Sequence, residues 1–360
     1  MKIKQIELLK QSTPLKKPFK TALRTAYTAD EIIVRLTADT GEVGYGAAPP
    51  TAVITGDTLE SISHNIEDFL LPRLVNQDMD ELESLLHTVS SALVNNTSAK
   101  AAVDMALYDL WAQKHNAPLY QLLGGARSTL ETDITISVNA PEEMADDAAN
   151  AIDQGICMLK IKVGNDVHLD LERVKAVRER VGKNVLIRLD ANQGWNRKEA
   201  VRIIRQMEDM DLRIELVEQP VKAHDLEGLK WITDRVDTPI LADESMFSPR
   251  DALKILEMRA ADLINIKLMK SGGIYQALKI NAIAESYGVE CMIGCMLESS
   301  IGITAAAHLA AAKKNITRVD LDSALLLAEN RVVGGVQYNG SEMTLGKGNG
   351  LGIEGLIFPE

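Results

Sequence analysis

Short apolar runs and amphipathic stretches alternate through most of the chain. The runs at 132–138, 158–163, 185–190, 214–218, 240–242, 263–267, 291–294 and 317–319 have the length and bounding polar residues of buried strands. Between them, apolar residues recur at helical spacing over 141–154, 169–181, 197–210, 249–258 and 273–287. Sustained strand–helix alternation predicts a parallel sheet, and eight strands in such a length favour a closed barrel over an open doubly wound sheet. The chain has no G-x-G-x-x-G after a first strand, which also weighs against a dinucleotide fold.

The opening section reads differently. Strands are predicted over 3–9 and 31–38, followed by a turn at Thr40-Gly41 and the run Val43-Gly44-Tyr45-Gly46. A helix is predicted over 98–114, and Gly124-Gly125 closes the section. Residues 1–126 are therefore expected to form a small α+β domain, and 127–324 the barrel. After Ala324 the alternation gives way to Gly-rich turns, so 325–360 is expected to return to the first domain.

With 360 residues, 46% hydrophobic and 25% charged, the chain is long enough for a barrel plus a second domain and has an ordinary globular composition. Aromatics are 4%, so the core must be aliphatic. A net charge of −12 opposes a phosphate-backbone partner, and nucleic acid is not expected. The absence of a signal-like start or an 18-residue apolar stretch leads to the expectation of a cytoplasmic protein with no membrane partner. Cys157, Cys291 and Cys295 sit in apolar surroundings and read as reduced core thiols.

The chemistry lies where charged residues interrupt the apolar runs. Lys162, Asp190, Glu218, Asp243 and Lys267 follow one another at intervals of 28, 28, 25 and 24 residues, close to one strand–helix unit each time. In a barrel such residues share the C-terminal rim, where active sites are built. Asp190, Glu218 and Asp243 offer hard oxygen ligands that suit Mg²⁺, or Mn²⁺, better than zinc. Each acid taken singly also reads as a helix cap or loop acid.

Lys160 and Lys162 lie two apart on a strand and so face the same side, opposite Ile161 and Val163. A solvated strand edge is the plain alternative to an inward, functional pair. Lys267 occupies the analogous place across the barrel. To act as a base near neutral pH, a lysine must come down from about 10.4 to about 7 or 8, a difference of about 4 kcal/mol. Burial, a cation and a second lysine would all act in that direction. Lys162 and Lys267 are the expected acid/base pair, with Lys160 steadying a substrate carboxylate. Removing a proton next to a carboxylate creates an enediolate that a divalent cation can stabilise, and bases on opposite faces would invert the carbon.

Lys160-Ile161-Lys162, Asp190-Ala191-Asn192-Gln193, Val217-Glu218-Gln219-Pro220, Ala242-Asp243-Glu244-Ser245 and Lys267-Leu268-Met269-Lys270-Ser271-Gly272-Gly273 together resemble the enolase superfamily. Within it, the chain resembles the muconate-lactonizing enzyme subgroup and its dipeptide epimerases of the L-Ala-D/L-Glu epimerase type. The resemblance covers nearly the whole chain. It implies an α+β capping domain over a modified (β/α)₇β barrel, with one Mg²⁺ on Asp190, Glu218 and Asp243. It further implies Lys162 and Lys267 as bases, a dipeptide substrate, a part in recycling cell-wall peptides, and a homo-oligomer.

Asp320-Leu321-Asp322 resembles the pair of acids that holds a dipeptide's α-ammonium group, although an acidic loop is the plain alternative. The segments 19–25 and 54–57 resemble specificity loops; Arg24 would face the second side chain and pair with a glutamate, and Ile54 would line the same pocket. A surface arginine remains the alternative reading there. Glu298 and Ser299 fall in a further expected pocket wall, and Thr135 is expected near the carboxylate. One departure is visible: Ala47 follows Gly46 where relatives commonly carry Glu. N-succinylamino acid racemase, o-succinylbenzoate synthase and muconate cycloisomerase share the same metal and lysines, so they stay open as alternatives. A Schiff-base aldolase or a non-catalytic binding barrel are readings of other classes.

Overall fold

The computed structural model describes residues 1–357. Its centre is an eight-stranded parallel sheet made of β5 (Ile134–Ile136), β6 (Met158–Lys162), β7 (Leu186–Asp190), β8 (Ile214–Glu218), β9 (Ile240–Ala242), β10 (Leu263–Lys267), β11 (Cys291–Gly294) and β12 (Ile316–Asp320). Neighbours in space are neighbours in sequence, and every ladder between them is parallel. Seven crossover helices run Pro141–Asp153, Val167–Val181, Arg197–Asp209, Leu226–Thr233, Pro249–Met258, Ile274–Ser286 and Ser300–Ala312. This is the expected (β/α)₇β barrel. At the seam between β5 and β12, side chains tie the strands: Thr135 N donates to Asp322 Oδ2 at 2.6 Å, and Leu321 N donates to Thr132 Oγ1 at 2.9 Å.

Ahead of the barrel, β1 (Ile3–Lys20), β2 (Thr25–Ala38) and β3 (Val43–Ala48) form an antiparallel sheet. The first hairpin is far longer than the apolar alternation predicts. Its outer part, from Lys10 to Lys20, is mostly exposed or half-buried and is held by the backbone ladder to β2, so no alternation marks it. The hairpin tip reaches the barrel, where Val138 N donates to Lys20 O and Lys20 Nζ donates to Asn139 Oδ1.

The helix Thr97–Lys114 is buried on almost every side and packs on β3. Gly44 and Gly46 permit that approach, because a Cβ at Gly46 would overlap the Ala102 carbonyl. Asp109, the acid that interrupts the apolar pattern of this helix, accepts hydrogen bonds from Tyr45 N and Leu351 N. Ala47 points the other way, into a cluster with Ile33, Tyr45, Ile301 and Val332 that joins the antiparallel sheet to the barrel. A small apolar residue at this departure from the family pattern thus fills an interface.

The C-terminal segment folds as short strands. β13 (Val332–Gly334) pairs with β16 (Ile353–Leu356), while β14 (Gln337–Asn339) and β15 (Glu342–Thr344) join β4 (Thr129–Glu131) in a three-stranded antiparallel sheet. Val332, Ile353 and Leu356 reach the cluster around Ala47. None of the described helices is long and apolar enough to cross a membrane.

Candidate active site

The charged residues singled out by their spacing stand on one rim. Lys162, Asp190 and Glu218 are cross-strand partners at the ends of β6, β7 and β8, Asp243 follows β9 directly, and Lys267 ends β10. Alternation explains their direction: Leu159, Ile161 and Val163 are wholly buried against the helices, which turns Lys160 and Lys162 to the barrel interior. Beyond β7 the chain turns sharply through Asn192 (φ 40) and Gln193 (φ 67), and Asn192 N donates to Asp190 Oδ1 at 2.8 Å. In an eight-stranded barrel, β6 and β10 are four places apart, so Lys162 and Lys267 face each other across the mouth.

Inward lysines need counter-charge, and each has it. Lys160 Nζ lies 2.7 Å from Glu218 Oε2, 2.7 Å from Asp320 Oδ2 and 3.2 Å from Asp190 Oδ2. Lys162 Nζ donates to Asp190 Oδ2 at 2.6 Å, and Lys267 Nζ to Asp243 Oδ2 at 2.8 Å. Lys270, wholly buried, donates to Asp243 Oδ1 and to the Asp243 and Asn265 carbonyls.

The expected lowering of a lysine counted on a cation as well as on burial and a second lysine, and the protein's own carboxylates act against it. Burial does press Lys267 toward its neutral form, but Asp243, with Glu218 and Asp320, outweighs burial and holds its pKa well above the ordinary lysine range. Lys160 is held up in the same way, by Asp320, Glu218 and Asp190 against burial. The acids divide. Burial, reinforced by Asp190, raises Glu218 to about 8, whereas Lys162 and Lys160 overcome burial and hold Asp190 at about 2.

The donor set suits a hard divalent cation: Asp190, Glu218 and Asp243 are carboxylates on adjacent strand ends, and all are at most 1% exposed. Glu244 Oε2, Asn192 Oδ1 and Asn265 Oδ1 are buried acceptors without a hydrogen bond, and Glu218 Oε2 is met only by the Lys160 ammonium. In the arrangement seen, the compensating positive charge comes from the lysines. Among the described residues, no three acid, His or Cys side chains already converge as a ligand cluster.

A cavity opens above this rim. Lys160, Lys162 and Lys267 reach it from the barrel, together with Thr135, Asp320 and Asp322, and Arg24 and Ile54 reach it from the antiparallel-sheet side. Asp190, Glu218 and Asp243 lie beneath its lining. Glu298 and Ser299 are not part of the wall. Glu298 Oε1 accepts from Met296 N, and Ser299 caps the helix Ser300–Ala312, so Cys295, Met296 and Leu297 face the cavity instead.

Further lining comes from Phe19, Leu23, Val53 and Leu326, apolar loop residues that no periodicity marks. Asn192 also lines the cavity, and its Nδ2 bridges Asp190 Oδ2 and Glu244 Oε1. Its place two residues after a rim acid was the available signal. Lys270 had a weaker one, since three residues after Lys267 it lies past the strand end.

Among the described residues, burial is what pushes the Arg24 guanidinium down, and no carboxylate acts on it. Asp320 is held below the usual carboxylate range by Lys160 in spite of burial, while burial and Asp320 raise Asp322 to about 6. The cavity therefore presents a lone guanidinium at one wall, two carboxylates at another and two opposed lysines between.

A barrel and cap of this kind, with acids and lysines on successive strand ends, define a class, and comparison with known proteins agrees. Residues 143–355 match the "Enolase C-terminal domain-like" family model, and residues 3–124 match the "Mandelate racemase / muconate lactonizing enzyme, N-terminal domain". The chain belongs to the mandelate racemase/muconate lactonizing enzyme family of the enolase superfamily. Within it, the chain is 58% identical to the L-Ala-D/L-Glu epimerase of Bacillus subtilis, over 99% of this chain and 97% of that protein. The structure of a substrate-liganded complex of the Bacillus subtilis epimerase superposes with a TM-score of 0.99, at 57% identity and covering 99% and 100% of the two chains. A dipeptide epimerase from Enterococcus faecalis, solved with Mg and the dipeptide L-Leu-L-Tyr, superposes at 0.95 with 48% identity, covering 98% and 99%.

Proposed function

We propose that this protein is a dipeptide epimerase that inverts the α-carbon of the C-terminal residue, with Ala-Glu dipeptides as preferred substrates. The observation that carries the reading is the pair Lys162 and Lys267, set on strands across the barrel and open to one cavity. One lysine, as the neutral amine, can take the α-proton from one face while the other, as the ammonium, gives a proton to the opposite face. Inversion follows from their opposition. Asp320 and Asp322 receive the free α-ammonium group at the far wall, Arg24 receives the glutamate side chain, and Lys160 and Thr135 stand beside the reacting carboxylate.

Mg²⁺, or Mn²⁺, held by Asp190, Glu218 and Asp243, would supply Lewis-acid stabilisation of the negative charge that develops on the substrate carboxylate. Phe19, Ile54 and Leu297 contribute apolar wall to the cavity.

The acid pair favours this reading over N-succinylamino acid racemisation, because an acylated amine offers buried carboxylates no positive charge. Three acids between the lysines also have no part in Schiff-base chemistry. We place the domain division at 1–126, completed by 325–360, and 127–324. The same reading carries a cytoplasmic location, a role in cell-wall peptide recycling and a homo-oligomeric state, supported by the family resemblance and the symmetry habit of such enzymes.

The test is ¹H NMR in D₂O with Mg²⁺ and a panel containing L-Ala-L-Glu, L-Ala-L-Phe and N-succinyl amino acids. Loss of the second residue's α-proton signal in L-Ala-L-Glu, with growth of the diastereomer, is expected. Exchange confined to the N-succinyl compounds would overturn the assignment.

A further inference from the structure

The two acids of Asp320-Leu321-Asp322 flank a peptide whose orientation is fixed from outside the barrel. Leu321 is wholly buried, and both of its backbone polar groups are claimed by side chains. Its N–H donates to Thr132 Oγ1 at 2.9 Å, and its carbonyl accepts from the Tyr338 hydroxyl at 2.6 Å. Thr132 in turn donates to the Asp133 carbonyl at 3.1 Å, which fixes its hydroxyl as the acceptor for Leu321.

These two residues are far apart in sequence but belong to one small element. Tyr338 is the middle residue of β14, paired with Met343 of β15, which pairs with Leu130 of β4. Thr132 follows β4 directly, and its own N–H donates to the Ser341 carbonyl in the β14–β15 turn. A sheet made by the C-terminal segment and the entry to the barrel therefore holds the Leu321 peptide at both ends.

We infer that Tyr338, with Thr132, is a specificity-positioning pair that orients Asp320 and Asp322 together for a substrate's α-ammonium group. The inference rests on the dipeptide reading above. The mechanism is geometric. The Leu321 N–H belongs to the peptide group shared with Asp320 and its carbonyl to the one shared with Asp322, so rotation of either would swing the carboxylates out of register, and only their joint placement makes a two-point acceptor for one ammonium. Asp322 has its own tie to Thr135 N and Asp320 its tie to Lys160, and the Leu321 backbone between them sets where one acid stands relative to the other. Neither Tyr338 nor Thr132 lines the cavity. Their effect must pass through the acids.

The experiment compares L-Ala-L-Glu with N-acetyl-L-Ala-L-Glu, which lacks the ammonium charge. In wild-type enzyme the free dipeptide should be strongly preferred. Tyr338→Phe keeps the ring and removes the hydroxyl, and KM for L-Ala-L-Glu should rise about tenfold with kcat changed less than about twofold, the scale of one lost buried hydrogen bond. Activity toward the acetylated compound should stay where it was, so that discrimination falls. Thr132→Val should act in the same direction, and Thr132→Ser, which restores a hydroxyl, should behave as wild type.

Equal losses on both substrates, or unchanged discrimination in Tyr338→Phe, would overturn the inference while leaving the epimerase reading intact. Should Tyr338→Phe fail to fold, as thermal melts would show, the Thr132→Val and Thr132→Ser pair decides in its place. A wild-type enzyme that does not discriminate between the free and acetylated dipeptides would overturn both.

Discussion

Arg24→Met isolates the recognition of the second side chain from the chemistry. The guanidinium stands in the cavity wall, part-buried, with no carboxylate among the described residues acting on it, and burial lowers its pKa. A group in that state gains from an incoming anion. A fork of two charge-assisted hydrogen bonds to a glutamate carboxylate is worth about 3 kcal/mol after partial solvent screening, between one and two such bonds at face value. Methionine retains most of the stem's packing, so the loss should be electrostatic. Lost transition-state binding of that size is a fall of about 150-fold in kcat/KM for L-Ala-L-Glu.

The control substrate is L-Ala-L-Met, whose side chain has similar length and no charge. Its kcat/KM should stay within about threefold of wild type or improve, because the variant no longer buries an unpaired cation against an apolar side chain. Arg24→Lys keeps the charge without the fork, and about a tenfold loss on L-Ala-L-Glu is expected. Polarimetry or NMR of the diastereomers gives both substrates' constants. A parallel fall on both substrates would show that Arg24 shapes the loop and does not read charge. A change of less than about threefold on L-Ala-L-Glu would place the glutamate elsewhere.

Other predictions follow from the same geometry. Lys162→Ala and Lys267→Ala should each abolish epimerisation, by at least about a thousandfold, while each retains deuterium exchange of one diastereomer only, read by ¹H NMR in D₂O; normal epimerisation by either would end the two-base account. Chelation with EDTA should remove activity and added Mg²⁺ should restore it, and activity surviving exhaustive chelation would count against Asp190, Glu218 and Asp243 as cation ligands. Buried His308 has its pKa pushed from 6.5 to about 3 by burial, with Leu351 partly opposing. Its folded pKa is depressed, so the stability from the neutral ring is intact above pH 6.5 and is lost as pH falls toward 3. Between pH 6.5 and 4 the stability of wild type relative to His308→Gln should drop by about 3 kcal/mol in urea titrations, and parallel curves would refute it.

Helices with a long apolar stripe were legible in the sequence, as were the barrel strands and the buried helix Thr97–Lys114; the short helix Leu226–Thr233 and several other elements were not, for separate reasons. The helix Arg197–Asp209 shows its stripe of Ala200, Ile203, Ile204 and Met207, and a capping box on Asn196 marks its start. The helix Ser300–Ala312 is buried at every residue, so its apolar positions have no period and it went unpredicted. The outer half of β1 was missed for the opposite reason, since most of its side chains are exposed or half-buried and its order comes from backbone pairing. The C-terminal strands are three or four residues long, too short for alternation to register.

The rim followed the same logic with a different limit. Regular spacing located Lys162, Asp190, Glu218, Asp243 and Lys267, because strand–helix units of similar length bring equivalent positions to one end of a barrel. Spacing counts charges without giving the distances between them. Reasoning from burial, a bound cation and a second lysine made Lys267 a depressed base. Asp243 Oδ2 at 2.8 Å acts in the opposite direction, so the acids that make the site recognisable also raise that lysine's pKa. The proton-accepting state of Lys267 is therefore not a property of the lysine's burial. It depends on how much of the Asp243 charge is taken up elsewhere, and Lys270, donating to Asp243 Oδ1 at 2.5 Å, already takes up part of it. A lysine base here is set by competition for one carboxylate, which is why the residue three positions further on belongs to the same argument.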